Sequence, residues 1–161
     1  MTPNLGPAPF VFVSSLGGKR SPAFSKTFKV LATAIVAMLG IALFQVWRES
    51  QQSGAFLGVA GGWFVAALAL MVTTWWFILR STTRIEEGYL HQTWVWHKQM
   101  EIRDLAYGKL IRVRGLEWLI APRLYVRSLM GKFSVFYAAS PEMIAEFERL
   151  VLELKTFRTG L

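Results

Sequence analysis

"AFLGVAGGWFVAALALMVTTWWFIL", Ala55–Leu79, decides the fold of this chain, because none of its 25 residues is charged. At a rise of about 1.5 Å per residue, such a helix is long enough to cross the ~30 Å hydrocarbon core of a bilayer. A second apolar run, "FKVLATAIVAMLGIALFQVW", Phe28–Trp47, precedes it and has Lys29 only near its beginning. We therefore predict a membrane protein with a transmembrane helical hairpin over residues 28–80, with spans at about 28–47 and 55–79.

The charges that flank the two spans predict the orientation of the hairpin. Basic residues lie before or at the beginning of the first span and after the second, namely Lys19, Arg20, Lys26, Lys29, Arg80 and Arg84. The short segment between the spans has Arg48, which is offset by Glu49. Because Lys and Arg accumulate in cytoplasmic loops, we predict a multi-pass protein of the bacterial cytoplasmic (inner) membrane with both termini in the cytoplasm.

Tryptophans and small residues add detail to this prediction. Indole rings favour the membrane–water interface, and the candidates for this position are Trp47, Trp75, Trp76 and, after the spans, Trp118. Small residues recur every four positions in and just before the second span, at Gly54, Gly58, Gly62 and Ala66. Such a stripe lets another helix approach closely. We expect it to pack on the first span, on another copy of the chain or on a larger partner, and these possibilities are compatible.

Composition excludes several kinds of chemistry. The chain has no cysteine, so disulfides, thiolate metal sites and cysteine nucleophiles are excluded. His91 and His97 have no third ligand cluster in the sequence, so no metal site is predicted. Phosphate-binding loops and nucleophile elbows are also missing, and neither span carries a central charge of the kind that transporters use. We expect neither an enzyme nor a cofactor.

The N-terminal segment, residues 1–27, holds four of the six prolines of the chain and several glycines. Within it, "PFVFVSSL" is compatible with a short strand or a partner-binding segment. Proline and glycine disfavour regular structure, and chain termini are commonly mobile. We predict a flexible cytoplasmic arm.

After Arg80, apolar and polar residues alternate with a period near two, which is typical of short strands. Predicted strands cover residues 82–86, 89–96, 98–102, 109–114, 123–128 and 132–138, with an irregular connector at 103–108. An amphipathic helix follows at about 140–157, with Ser140 as its N-cap and Pro141 in its first turn. Its apolar stripe comprises Met143, Ile144, Phe147, Leu150, Val151 and Leu154. The charged residues Glu146, Glu148, Arg149 and Glu153 lie off the stripe. We predict a cytoplasmic small β-barrel or sandwich over residues 81–161, capped by this C-terminal helix.

Several segments of this region resemble one family. "TRIEEGYL" (83–90), "EIRDLAYGKLIRV" (101–113), "RLYVRS" (123–128) and "FSVFYAASPEMIAEFERLV" (133–151) are similar to the bacterial pleckstrin-homology-like (PH-like) small membrane proteins with two transmembrane helices. The resemblance covers roughly residues 28–157 and implies a PH-like split barrel. It implies no catalytic residues, because the family has no single shared chemistry.

Two neighbouring predicted strands hold the candidate ligand-binding residues. If Ile111 and Val113 face the core on one strand, and Leu124 and Val126 on the next, alternation puts the arginines on the outer face. The candidates for binding anionic lipid or a partner are Arg112, Arg114, Arg123, Arg127 and Lys132, with Lys109 nearby. Like charges on paired strands destabilise each other, so we expect lipid headgroups, an acidic partner or neighbouring acids to offset them. A solvated basic face is the alternative.

These features predict a non-enzymatic, membrane-anchored interaction or scaffold module that binds a protein partner at the inner membrane surface. An anionic-lipid-sensing PH-like domain and an accessory subunit of a larger membrane transporter or enzyme complex are the alternatives. The expected partners are membrane lipids and either further copies of the chain or a larger membrane protein complex. Nucleic-acid binding is not expected, because no base-stacking motif accompanies the basic strands.

Overall fold

The computed structural model describes residues 8–53 and 59–160, and it divides the chain into two compact units. The first, which we call the helical unit, is Lys26–Arg80. The second, which we call the sheet unit, combines the chain before Lys26 with the chain from Ser81 onward. A segment that precedes the apolar helices in sequence therefore folds together with the segment that follows them.

Two helices, α1 (Lys26–Ser53) and α2 (Val59–Arg80), form the helical unit. Both are long and apolar enough to cross a membrane, and none of the residues in their apolar windows is buried. Hydrogen bonds join the helices: Trp75 Nε1 donates to Thr33 Oγ1 at 2.8 Å, and Lys29 Nζ donates to the Leu79 carbonyl at 2.9 Å. The prediction of two long apolar helices early in the chain is confirmed.

Two antiparallel sheets form the sheet unit. Sheet A has the strand order β1 (Ser21–Pro22), β2 (Thr82–Glu86), β3 (Tyr89–Thr93) and β4 (His97–Glu101). Sheet B has the order β5 (Leu105–Ile111), β6 (Arg123–Ser128) and β7 (Phe133–Tyr137). The bounds of β2 and β6 agree with the sequence pattern, whereas β3 ends at Thr93 because the next three residues form the turn to β4.

Helix α3 (Pro141–Thr159) packs on sheet B and closes the core. Ser140 caps it as predicted, since its Oγ accepts a hydrogen bond from the Met143 amide at 3.3 Å. Gly160 ends it in the left-handed conformation with φ 68°. The helix buries a stripe of apolar side chains against the strands: Met143, Phe147, Leu150 and Leu154.

The N-terminal segment contributes to the same core. Phe10 is 3% exposed and Phe12 is 6% exposed. The alternate residues Val11 and Val13 are 71% and 80% exposed. This alternation is that of an extended chain lying on the core. The prediction of a flexible arm over residues 1–27 is therefore wrong for residues 8–25, because burial of two phenylalanines and the pairing of β1 with β2 hold the segment in place.

A buried carboxylate fixes the N-terminal segment to α3. Glu146 is 5% exposed and accepts hydrogen bonds from Ser14 Oγ at 3.1 Å, Ser15 Oγ at 2.5 Å and the Ser15 amide at 3.3 Å. Arg149 Nη2 donates to the same carboxylate at 3.2 Å and also bonds the Val13 carbonyl. Glu146 lies off the predicted apolar stripe and is nevertheless buried, because a buried carboxylate is tolerated where donors surround it.

Candidate interaction surfaces

The predicted arginine face is divided between two sides of sheet B. Strand β5 ends at Ile111, and its burial pattern puts Leu110 against the core while Ile111 is 36% exposed. A register shift between Leu105 and Tyr107 causes this arrangement. It inserts one extra residue into β5 relative to β6, and this reverses which of the following side chains face inward. Ile111 and Val113 are each 36% exposed, so the condition that both face the core is not met, and Arg112 lies on the α3 side of the sheet.

Arg112 and Arg114 line a groove next to α3. Arg112 forms an ion pair with Glu148 of the helix, and both side chains are partly exposed. The groove has a volume of about 530 Å³ and also contains Glu117 and Lys155. Exposed ion pairs of this kind contribute about 1 kcal/mol or less. The charge of Arg112 is thus compensated within the chain, as one of the sequence alternatives required.

Arg123 and Arg127 lie on the opposite side of sheet B, as the alternation of β6 predicts, because Leu124 and Val126 between them are fully buried. We call this side the outer face of sheet B. It comprises Tyr107, Lys109, Ile111, Arg123, Tyr125, Arg127, Phe133, Val135 and Tyr137.

One row of the outer face has an unusual composition. Tyr107 pairs with Arg127, and Arg127 pairs with Phe133, so the three side chains stand side by side across the three strands. Tyr107 is 53% exposed and Phe133 56% exposed. Met130, in the turn that follows β6, is 91% exposed. An aromatic side chain thus stands on each side of an arginine at one end of the sheet, and an exposed methionine lies in the adjacent turn.

Arg127 in this row and Lys132 in the adjacent β6–β7 turn form no ion pair among the described residues. Arg123, at the other end of β6, is different. Its guanidinium lies 5.8 Å from the ring centroid of Tyr137, and its Nε is buried without a hydrogen-bond partner. Arg123 is therefore held within the sheet, whereas Arg127 and Lys132 point to solvent.

The small-residue stripe is open where the structure describes it. Gly54 and Gly58 lie outside the described residues. A side chain added at Gly62 would meet no atom within 4 Å, and Ala66 is exposed. The expected packing of this stripe on the first span is therefore wrong at Gly62 and Ala66, since the two helices meet instead through residues such as Thr33 and Trp75.

The predicted interface tryptophans have different surroundings. Trp47 is 46% exposed near the end of α1, and Trp75 donates to Thr33. The Arg80 guanidinium lies over the ring of Trp76, 4.0 Å from its centroid. Trp118 is 60% exposed in the loop between β5 and β6, and its Nε1 donates to the Gly115 carbonyl at 3.1 Å.

The two histidines lie on neighbouring strands, His91 on β3 and His97 on β4. His91 pairs with Gln99 and His97 with Thr93, so the two are not cross-strand partners. Burial lowers the pKa of His91, and the nearby Arg84 lowers it further. Within the described ranges, no three acidic or histidine side chains gather in a way that would hold a metal ion.

Sequence reasoning missed the exposed aromatic residues of β5 and β7. The signal was present in "KFSVFY", where apolar residues occupy both parities of one strand, so that one set must face outward. No protein-family model matches the chain, and no curated protein or solved structure matches it either. The geometry of these surfaces is therefore the basis for assigning a function.

Proposed function

We propose that this chain is a membrane-anchored, non-enzymatic interaction module that binds a protein partner through the outer face of sheet B. The row Tyr107–Arg127–Phe133 is the observation that carries the proposal. Aromatic residues, methionine and arginine are enriched at the cores of protein interfaces. Covering such a row removes apolar surface from water, which contributes about 25 cal/mol per Å².

The chemistry of the row specifies the partner. Arg127 and Lys132 offer positive charge that no ion pair among the described residues compensates, and Phe133 and Met130 offer apolar surface. A partner segment with acidic and apolar side chains satisfies both. Charge complementarity would orient the two proteins, and the aromatic rings would supply most of the affinity.

Helices α1 and α2 serve as the membrane anchor in this proposal. Their length and apolar composition support it. The basic residues next to both ends of the helical unit, including Lys26 and Arg80, favour a cytoplasmic location for the sheet unit under the positive-inside rule. We propose the inner membrane of a bacterium as this membrane, with the partner bound at its cytoplasmic surface.

We further propose that the sheet unit is a PH-like barrel. Its sheets of four and three strands, followed by a single C-terminal helix that packs on the second sheet, support this assignment. The first short strand comes from the segment before α1, so the barrel would be completed from both sides of the helical hairpin.

Two other functions find less support. A lipid-sensing surface built from all four arginines requires them on one face, but Arg112 and Arg114 lie in the α3 groove while Arg123 and Arg127 lie on the outer face. An accessory subunit of a larger membrane complex is compatible with our proposal, because such a subunit also needs a docking surface. The identity of the bound partner separates these functions.

Position-specific photo-crosslinking in the native membrane tests the proposal. Benzoylphenylalanine replaces Tyr107 or Phe133 in the full chain, and a matched control replaces Leu152, which is 66% exposed on α3. We expect the same adduct with one protein at both outer-face positions and none at Leu152. Equal adduct yields at all three positions, the absence of adducts, or an adduct with the mass of two copies of this chain would contradict it.

A further inference from the structure

The points where the chain enters and leaves the helical unit lie together in the sheet unit. Ser25 directly precedes α1, and Ser81 directly follows α2. Two residues before Ser25, the Ala23 amide donates to the Ser81 carbonyl at 3.1 Å, and β1 pairs with the beginning of β2. One end of the sheet unit therefore carries both junctions.

The turn between β3 and β4 lies next to the junction at Ser81. Ser81 Oγ donates to the Thr93 carbonyl at 2.6 Å. The next three residues are large and apolar: Trp94, Val95 and Trp96 are 38%, 47% and 63% exposed. Turns in water are usually built from Gly, Asn, Asp and Ser, so three consecutive apolar residues at a turn require another explanation.

The loop between β5 and β6 lies next to the other junction. Ser25 Oγ donates to the Leu119 carbonyl at 2.9 Å. The loop is ordered by hydrogen bonds from the Leu119 and Ile120 amides to the Leu116 carbonyl, at 3.0 and 2.7 Å. It exposes Leu116 at 41% and Trp118 at 60%. Both apolar loops therefore flank the end of the sheet unit that continues into α1 and α2.

A bilayer surface fits this end of the unit better than a protein does. If α1 and α2 cross the membrane, Ser25 and Ser81 are each one residue from a span, so the two loops start within reach of the lipid headgroups. Tryptophan favours this interface because one part of its ring is apolar and the other donates a hydrogen bond. Arg114 in the β5–β6 loop matches the charge of anionic lipid, and Glu117 is the acid that opposes it.

We propose that the turn Trp94–Trp96 and the loop segment Leu116–Trp118 form a two-loop membrane contact that inserts into the interfacial region of the bilayer. This inference rests on the membrane anchoring by α1 and α2 in the proposed function. It adds a lipid-binding surface that is separate from the outer face of sheet B. The contact orients the sheet unit on the membrane, because two loops and two chain junctions together define a plane. The row Tyr107–Arg127–Phe133 lies at the other end of sheet B from the β5–β6 loop.

Site-directed spin labelling tests the membrane contact, because the chain has no cysteine and each substitution creates a single labelling site. The labelled variants are Val95→Cys and Leu116→Cys in the two loops, with Met130→Cys as the exposed control at the far end of sheet B. Leu70→Cys, in α2, reports on the anchor itself. The full-length chain is placed in nanodiscs with anionic lipid, and collisions with oxygen and with a water-soluble nickel chelate are measured.

We expect the ratio of oxygen to nickel collisions at positions 95 and 116 to be several-fold higher than at position 130. Equal ratios at 95, 116 and 130 would overturn the inference, and so would labels shielded from both reagents, since that result indicates protein rather than lipid. A high ratio at Leu70 in either case leaves the proposed anchoring intact. A water-like ratio at Leu70 would refute the anchoring and the inference together. Labels at Trp96→Cys and Trp118→Cys repeat the test if a first variant misfolds.

Discussion

The Ser15 hydroxyl donates a hydrogen bond to the carboxylate of Glu146, which lies 131 positions later in the chain. The distance between the two oxygens is 2.5 Å. This bond joins the segment before the apolar helices to the helix that ends the fold. Its acceptor is buried, since Glu146 is 5% exposed, whereas Ser15 itself is exposed. The sheet unit is therefore a single structure assembled across an intervening helical hairpin, and its stability depends on both ends of the chain.

The substitution Glu146→Ala should release the N-terminal segment. It removes the acceptor of Ser14 and Ser15, and losing a hydrogen bond to a charged group costs about 1.5–3 kcal/mol. We expect trypsin to cleave after Lys19 or Arg20 at least tenfold faster than in the unmodified chain, as measured by gel time courses. Glu153→Ala is the control, because Glu153 is 45% exposed and also pairs with Arg149, at 3.4 Å. Equal acceleration in both variants would contradict the role of Glu146.

Phe10→Ala should destabilise the sheet unit strongly. Phe10 is 3% exposed and its ring lies 5.4 Å from that of Phe157. Truncating a buried phenylalanine costs about 3–5 kcal/mol, so the melting temperature of the detergent-solubilised chain should fall by several degrees or more. The neighbouring Val11→Ala, at an exposed position, should change stability by about 0.5 kcal/mol or less. A mobile arm would instead make both substitutions neutral.

Gly108→Val tests the packing of α3 on β5. A side chain at Gly108 would begin 3.4 Å from atoms of both Val151 and Leu154 on the helix. A Cβ alone fits there, but the extra methyl groups of valine force the helix outward, at a cost of about 1–3 kcal/mol. Denaturant unfolding should show a lower midpoint for Gly108→Val and little change for Gly108→Ala. A midpoint unchanged by valine would show that α3 packs less closely than described.

The bond between Trp75 and Thr33 should couple the two apolar helices. Hydrogen bonds between membrane helices contribute on average about 0.6 kcal/mol and at most about 1.7 kcal/mol. A double-mutant cycle with Trp75→Phe and Thr33→Val, measured by detergent-driven unfolding of the helical unit in the full chain, should give a coupling energy in this range. Additive effects of the two substitutions would mean that the bond contributes nothing.

The sequence predicted those elements whose pattern is local. Strands β2 and β6 and the capped start of α3 follow from alternation, helical periodicity and the Ser140–Pro141 pair. The sequence did not predict which side chains of β5 face the core, because the register shift after Leu105 depends on how β5 pairs with β6. A single reversal of parity moved Arg112 to the α3 side and so divided the predicted basic face.

The sequence pattern did not predict the packing of the N-terminal segment on the core, and the reason is different. Prolines and glycines around "PFVFV" suppress the expectation of regular structure, although Phe10 and Phe12 already show the alternation of a chain with one buried side. Glu146 was missed because a glutamate in an amphipathic helix is ordinarily solvated. Its donors, Ser14 and Ser15, become its neighbours only through the tertiary fold.

Charge reversal at Arg127 tests the central claim, partner binding by the outer face, most directly. Benzoylphenylalanine at Phe133 reports on binding in the native membrane, and Arg127→Glu is compared with Lys155→Glu, which changes the charge equally in the α3 groove. We predict at least a tenfold loss of the adduct at position 133 with Arg127→Glu and an unchanged adduct with Lys155→Glu. An adduct that survives Arg127→Glu, or is lost equally in both variants, would contradict it.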